Sequence, residues 1–175
     1  MANIMTHSTG TMMSNPDEVR ALFSVTDADL AALKQLGERV TPKMDEFVKA
    51  FYTWLRTLPE FDVYFPDQRM VDHVEELQRA YWLEVFAAEI DQAYFNRRLT
   101  VGETHARIGL PLGIYFSAMN RATILFTGEL YDGSLDAETY AASVLALNKV
   151  SSMDTALVVD TYARISNEAA ATEKT

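Results

Sequence analysis

The sequence predicts an all-α fold, and three observations lead to that prediction. Apolar residues recur at helical spacing along most of the chain, as Leu30, Leu33 and Leu36 do near its start. No stretch alternates convincingly with a period of two, and no hairpin dipeptide stands between β-branched runs. The Asp132-Gly133 pair lies between two helical patterns. We therefore expect about seven helices.

The first helices are predicted from turn and capping residues. Residues 1–15 show no periodicity, so we expect a flexible tail, which contains His7. A short helix over 17–23 follows Pro16, because proline favours the first turn of a helix. Thr26 is the predicted N-cap of the next helix, which has acidic residues in its first turn. Pro42 kinks or ends that helix.

The remaining helices follow from longer apolar stripes. One helix carries Phe47, Phe51 and Tyr52 on a single face and stops near Leu58, before an aromatic connector. Two more helices are predicted after that connector, and two long ones close the chain. The predicted ranges are 59–67 for the connector and 68–88, 90–108, 112–131 and 135–167 for these helices, with fraying over 168–175.

Composition limits the class of protein. The 175 residues correspond to one domain with tails. A formal net charge of −10 argues against nucleic acid and against an anionic membrane surface, because both bind basic faces. No apolar run approaches the ~20 residues that span a bilayer, and the amino terminus does not resemble a signal peptide. Zero cysteines exclude disulfides and thiolate metal sites, so the cytoplasm is the simplest compartment.

His105 is the most informative residue of the chain. It lies on an otherwise apolar stripe of a predicted helix, and Gly109 and Pro111 end that helix just after it. A buried imidazole needs a partner, which is either a backbone carbonyl or a metal. Gly102, one turn earlier, removes a side chain and would let something flat approach the backbone. Without cysteine, histidine is the strongest ligand that the chain offers to a haem iron.

Two other candidate residues have simpler alternatives. Tyr52 is predicted to be buried, where its hydroxyl bonds either a backbone carbonyl or a ligand inside a pocket. His73 stands beside Asp72, Glu75 and Glu76, which favours an exposed ring over a second metal ligand. We place these acidic residues on solvent faces, so they offer no acid–base pair. The sequence contains no phosphate loop, zinc-protease motif or nucleophile elbow.

The last two helices predict an association surface. The final helix, with 33 predicted residues, would be roughly 50 Å long, more than a domain of this size needs. Its stripe of apolar and small residues, among them Ala141, Ala142 and Ala156, favours packing against a second copy. The alternative is a long helix whose end frays.

These residues resemble a known family, the sensor globins of bacterial globin-coupled sensors. The run from His105 through Arg107, Ile108 and Gly109 to Pro111, followed by Tyr115, resembles the proximal-histidine segment of that family. Phe51-Tyr52 followed by Leu55 resembles its distal-tyrosine segment. The resemblance covers roughly residues 17–168, and it implies a sensor globin domain over 16–168 with a short pre-helix and two long last helices that form a dimer interface.

The resemblance implies haem b as the cofactor and O2, CO and NO as its ligands. His105 would be the proximal iron ligand, and Tyr52 would hydrogen-bond bound O2. Val74 and Leu77 would form the distal wall, although Leu77 is apolar where some relatives carry a hydroxyl. Tyr115 would pack near His105 and bond it or report on its movement. The residues that would contact the haem are Phe47, Phe51, Phe65, Ile108 and Tyr115.

The resemblance also implies an output domain that is not in this chain. The segment 169–175 would be a tail or the start of a linker to it. A diguanylate cyclase is the first expectation, and a chemotaxis transducer or a histidine kinase is the next. Three alternatives stay open: a single-domain haem globin with O2 or NO redox activity, a haem dioxygenase or peroxidase, and a cofactor-free helical adaptor.

Overall fold

The all-α expectation is confirmed. The structure is a computed structural model that describes residue 13 and residues 15–131 and 133–172. Within those residues it contains eight α-helices, one 3-10 turn and no strand. The helices are α1 (Pro16–Leu22), α2 (Asp27–Val40), α3 (Met44–Leu55), α4 (Phe61–Tyr64), α5 (Gln68–Ala87), α6 (Gln92–Arg107), α7 (Leu112–Leu130) and α8 (Ala137–Thr172), with the 3-10 turn at Thr41–Lys43.

Side-chain caps fix the helix starts that the sequence predicts. Thr26 and Asp29 form a reciprocal capping box at the start of α2, which satisfies two backbone N–H groups. Asp67 and Asp91 accept hydrogen bonds from backbone N–H groups in the first turns of α5 and α6. Gly109, at a φ of +68°, ends α6 in the left-handed region that glycine adopts without strain.

Two segments differ from the prediction. The connector 59–67 contains the single turn α4, because Phe61 is buried and packs its ring 4.7 Å from that of Phe65. Helix α8 continues to Thr172, five residues beyond the predicted end at Asn167. Of the predicted tail, the structure describes Met13, which is buried, and Asn15, which caps α1. The remaining tail residues, Asp132 and 173–175 lie outside the described residues.

Helix α8 is the centre of the packing, with α2, α6 and α7 against it. Aromatic rings fill the space between α3, α5 and α7, where Phe126 lies 4.8–5.0 Å from three rings. Those three rings belong to Phe47, Trp82 and Phe86. No described helix combines the length and the apolar character that a membrane crossing requires.

The interpretation of Gly102 as an approach for a flat group is wrong, because α8 occupies that space. A Cβ at Gly102 would lie 2.8 Å from the Thr161 Cβ and 2.9 Å from the Val158 carbonyl oxygen. The missing side chain therefore lets α6 pack closely on α8.

We predict that Gly102→Ala destabilises the protein by about 1–3 kcal/mol, the usual penalty for overpacking a core. Gly128 in α7 meets nothing within 4 Å, so Gly128→Ala is the matched control. The control should be neutral or stabilise by up to about 1 kcal/mol through helix propensity. Urea unfolding of both variants checks this, and equal stabilities would contradict the close contact.

Candidate functional site

His105 lies in the last turn of α6 with a partner on one ring nitrogen. Its Nδ1 lies 2.7 Å from the carbonyl oxygen of Val101, one turn earlier on the helix. Burial lowers the pKa of His105 below its ordinary value of 6.5, although the bond to Val101 raises it. The ring is therefore neutral at pH 7, with its proton on Nδ1, and its Nε2 lone pair is free to bind a metal.

Tyr115 of α7 stands beside this ring, as the resemblance implies. The two ring centroids lie 5.3 Å apart, at an angle of 58°. The Tyr115 hydroxyl is buried, and no hydrogen bond of normal geometry reaches it from the described residues. It lies near Thr155 of α8, and burial and the charge of Asp154 raise its pKa. The implied bond between Tyr115 and His105 is not formed in this structure.

Tyr52 is buried on α3 among other aromatic residues. Its ring centroid lies 5.5 Å from that of Phe51 and 6.1 Å from that of Phe65, both in edge contacts. Its hydroxyl makes no hydrogen bond to another described residue. Burial and, secondarily, the negative charge of Glu75 raise the pKa of Tyr52, so it stays protonated and can donate. The Phe47 ring packs instead against α7, with its centroid 4.9 Å from that of Phe126.

Helix α5 presents both apolar and acidic groups near Tyr52. Val74 is half-buried against the core, whereas Leu77 is 56% exposed. Glu75 is half-buried and acts on Tyr52, so our placement of it on a solvent face is wrong. The reason is that Glu75 follows Val74 directly, on the side of α5 that turns toward α3. Glu76 is exposed as expected.

One hydrogen bond connects the connector after α3 with the turn after α6. The Tyr64 hydroxyl donates to the Gly109 carbonyl at 3.3 Å, four residues beyond His105. Ile108, in the same turn, is 51% exposed. The structure thus shows two groups of candidate residues, one around Tyr52 and one around His105, with the Tyr64 bond between their segments.

The other histidine that the structure describes lies away from the site. His73 is exposed, as its acidic neighbours predict. Among the described residues no group of three histidine or carboxylate side chains is arranged to hold a metal ion. A metal at His105 would therefore need most of its ligands from a cofactor, as iron in a haem has.

A buried polar cluster escaped the sequence analysis. Arg98 and Asp154 are 1% and 0% exposed, and Tyr81 and Tyr94 bond the same carboxylate. Asp154 is an acidic residue within the apolar face of α8 that Val150, Met153 and Leu157 define. An acidic residue in an otherwise apolar stripe is the feature of the sequence that could have indicated this cluster, since a buried charge requires a partner.

Within the described residues the fold is all-helical, and a neutral histidine, His105, stands at the end of α6. The family model described as Protoglobin matches residues 12–168. The chain therefore belongs to the protoglobin family, and membership of a globin family implies haem binding.

Solved structures agree with the fold. The globin domain of a Geobacter sulfurreducens globin-coupled sensor has a TM-score of 0.78 at 20% identity, over 83% of this chain and 96% of that one. The ferric globin domain of E. coli DosC has a TM-score of 0.69 at 16% identity, over 82% and 97% of the two chains. Its ferrous form gives 0.70 at 16% identity, over 82% and 96%. The chain thus has the fold of globin domains from globin-coupled sensors.

The lowered pKa of His105 predicts a pH dependence of stability. The unfolded chain binds the proton more readily than the folded protein, so the free energy of unfolding falls as the pH drops below about 6.5. His105→Gln removes this contribution, and the exposed His73→Gln is the matched control. Urea unfolding of the haem-free proteins between pH 7.5 and 5.5 should show a weaker acid loss for His105→Gln alone. The same acid loss in all three proteins would contradict a buried, neutral ring.

Proposed function

We propose that this chain is a haem-based O2 sensor domain that holds haem b through His105. The observation that carries the proposal is the His105 ring itself. Its Nδ1 is bonded to Val101 at 2.7 Å and its pKa is lowered by burial, which leaves Nε2 as a neutral ligand. With zero cysteines the chain has no thioether attachment site, which favours non-covalent haem b. Bound haem supplies a ferrous iron with one open position for O2, CO or NO.

The exposed apolar residues around the site support a fit to haem. Leu77 and Met70 on α5 and Ile108 after α6 are each 41–56% exposed, although apolar residues of their size favour burial. A flat apolar cofactor between α5 and α6 would cover them. Val74, Phe51 and Phe65 would then line the distal side, and Phe47 would support that side from behind.

Tyr52 is the residue that would distinguish O2 from CO. Its hydroxyl has no partner among the described residues and remains protonated, so it can donate a hydrogen bond to a bound gas that carries negative charge. Leu77 offers no second donor. A distal histidine would favour a dioxygenase or a peroxidase, and His73, the one candidate among the described residues, is exposed.

The two last helices support a homodimer. A groove of about 480 Å3 runs between α7 and α8. Phe116 at one edge is 50% exposed, and Ile124 on the same helix is equally exposed. Met119, Ala156 and Val159 line the groove together with polar residues such as Asn120 and Asn148. A second copy of α7 and α8 would cover this surface and form the expected interface.

Regulation of an output domain completes the proposal. The segment Arg107–Pro111 resembles the sensors of diguanylate cyclases more than those of chemotaxis transducers or histidine kinases. Helix α8 extends to Thr172, so a change at α8 would reach an output domain attached after it. We place this sensor in the cytoplasm, where a nucleotide-cyclising output would find its substrate.

We predict that His105→Ala abolishes stoichiometric haem binding, because no other described residue is arranged to replace its Nε2. His73→Ala is the matched control and should bind haem as the natural chain does. The haem-to-protein ratio and the Soret band of the purified variants check this. A normal Soret band in His105→Ala would overturn the assignment of the ligand.

We predict that Tyr52→Phe raises the O2 dissociation rate by about tenfold. Loss of a hydrogen bond to a partly charged ligand removes about 1–2 kcal/mol, and 1.4 kcal/mol corresponds to a factor of ten. Tyr131→Phe, at an 81% exposed position, is the control. Stopped-flow measurement of O2 release, with CO release in parallel, tests the role. An unchanged O2 rate in Tyr52→Phe would remove Tyr52 from ligand binding.

A further inference from the structure

A buried charged cluster joins three helices at the centre of the protein. We call it the Asp154 cluster, and it consists of Tyr81 on α5, Tyr94 and Arg98 on α6 and Asp154 on α8. The Arg98 Nε donates to Asp154 at 2.9 Å, the Tyr94 hydroxyl at 2.7 Å and the Tyr81 hydroxyl at 2.8 Å. The Arg98 guanidinium lies between two rings, 4.0 Å from the Tyr81 centroid and 3.9 Å from that of Tyr94.

The cluster fixes geometry more than it adds stability. A buried ion pair loses so much hydration that a well-packed apolar pair of similar volume is often as stable or more so. An apolar pair cannot, however, hold the two helices in one relative orientation, because its contacts have no preferred direction. The Arg98 plane, held between two rings, meets the Asp154 carboxylate in one orientation, and both tyrosine hydroxyls converge on the same group. Sliding or rotation of α6 on α8 would break these bonds.

Two members of the cluster lie one or two helical turns from residues of the proposed gas site. Arg98 precedes His105 by seven residues, which is about two turns of the same helix. Tyr81 follows Leu77 by one turn on α5. Gly102, between Arg98 and His105, is the point where α6 touches α8. The proximal and distal helices are therefore bonded to one carboxylate.

The same carboxylate lies next to the proposed dimer surface. Ser151, Thr155 and Ala156, on either side of Asp154 in α8, line the groove between α7 and α8. The Tyr115 ring packs beside His105 at a tilted angle. Its hydroxyl is buried beside Thr155. A shift of α6 that moves Asp154 would move these groove residues with it.

We propose that Arg98 and Asp154 are positioning residues that fix α6, and with it His105, on α8. In this role they set the O2 affinity and carry the effect of gas binding to the α7–α8 surface. The inference rests on the proposed function, since it requires a haem at His105. Its consequence is reciprocal: a residue that couples gas binding to α8 also lets α8 alter gas binding.

The decisive experiment uses the haem-loaded full chain with Arg98→Leu and Asp154→Leu combined. Removal of Arg98 alone would leave the Asp154 charge buried without its cation, which is strongly destabilising, whereas the apolar pair removes both charges and keeps the volume. Asp160→Asn, at an exposed position of α8, is the matched control. Haem content and thermal unfolding report on structure. The O2 dissociation rate, the iron–histidine stretching band and O2-dependent hydrogen exchange in α8 report on positioning.

We expect the double variant to bind haem and to unfold at a lower temperature than the natural chain, because the Tyr81 and Tyr94 hydroxyls lose their shared acceptor. Its O2 dissociation rate should change between about twofold and thirtyfold, the range for residues that couple two sites. Its iron–histidine band should shift or broaden, and the O2-dependent exchange difference in α8 should disappear. Tyr94→Phe, which deletes one hydroxyl and keeps the packing, should shift the same quantities in the same direction, and it serves as the test if the double variant does not fold.

The outcomes separate the two proposals. The natural chain binds haem and O2 normally if the proposed function holds. If the O2 dissociation rate, the iron–histidine band and the hydrogen exchange in α8 are then unchanged in both variants, the positioning role alone is overturned. If the natural chain binds O2 but hydrogen exchange in α8 does not change, the coupling of gas binding to the α7–α8 surface is overturned. A natural chain that binds no haem overturns the proposed function, and this inference with it.

Discussion

The contact of α6 with α8 is the constraint on which the rest of the structure depends. Gly102 lets the two helices approach until a Cβ would lie 2.8 Å from Thr161. Two turns away from His105 the Asp154 carboxylate holds α6 by bonds from Arg98 and Tyr94. The position of His105 therefore follows from how α6 lies on α8, and only secondarily from its own helix. A ligand histidine needs such a support, because a misplaced ring weakens the metal bond.

In the proposed site, loss of hydration shifts the pKa values of two side chains, the half-buried His105 and the buried Tyr52, in opposite directions. Burial lowers the pKa of His105 and raises that of Tyr52. In the proposed function the first effect would leave a lone pair for iron, and the second would keep a proton available for a bound gas. Both follow from the same desolvation, which disfavours the charged form of any group. In the proposed haem site, a neutral ligand to the metal and a neutral hydrogen-bond donor would suit reversible gas binding better than acid–base catalysis.

The sequence predicted local features well and long-range contacts less well. The N-cap at Thr26, the break at Pro42 and the end of α6 at Gly109 follow from neighbouring residues, and the structure confirms them. The Asp154 cluster joins Asp154 to residues of two other helices that lie 56 to 73 positions earlier in the chain, so no local pattern contains it. Gly102 was misjudged for the same reason, since the partner that approaches it is α8. The roles of Tyr52 and His105 came from the family resemblance and stay predictions.

The central claim is that His105 is the single protein ligand of a haem that binds O2. The most direct test is the ultraviolet–visible spectrum of the haem-loaded protein, first ferrous without oxygen and then in air. The account predicts a five-coordinate deoxygenated spectrum that converts reversibly to a stable oxygenated form. A six-coordinate deoxygenated spectrum would contradict the single ligand, and the absence of haem absorbance would contradict the account as a whole.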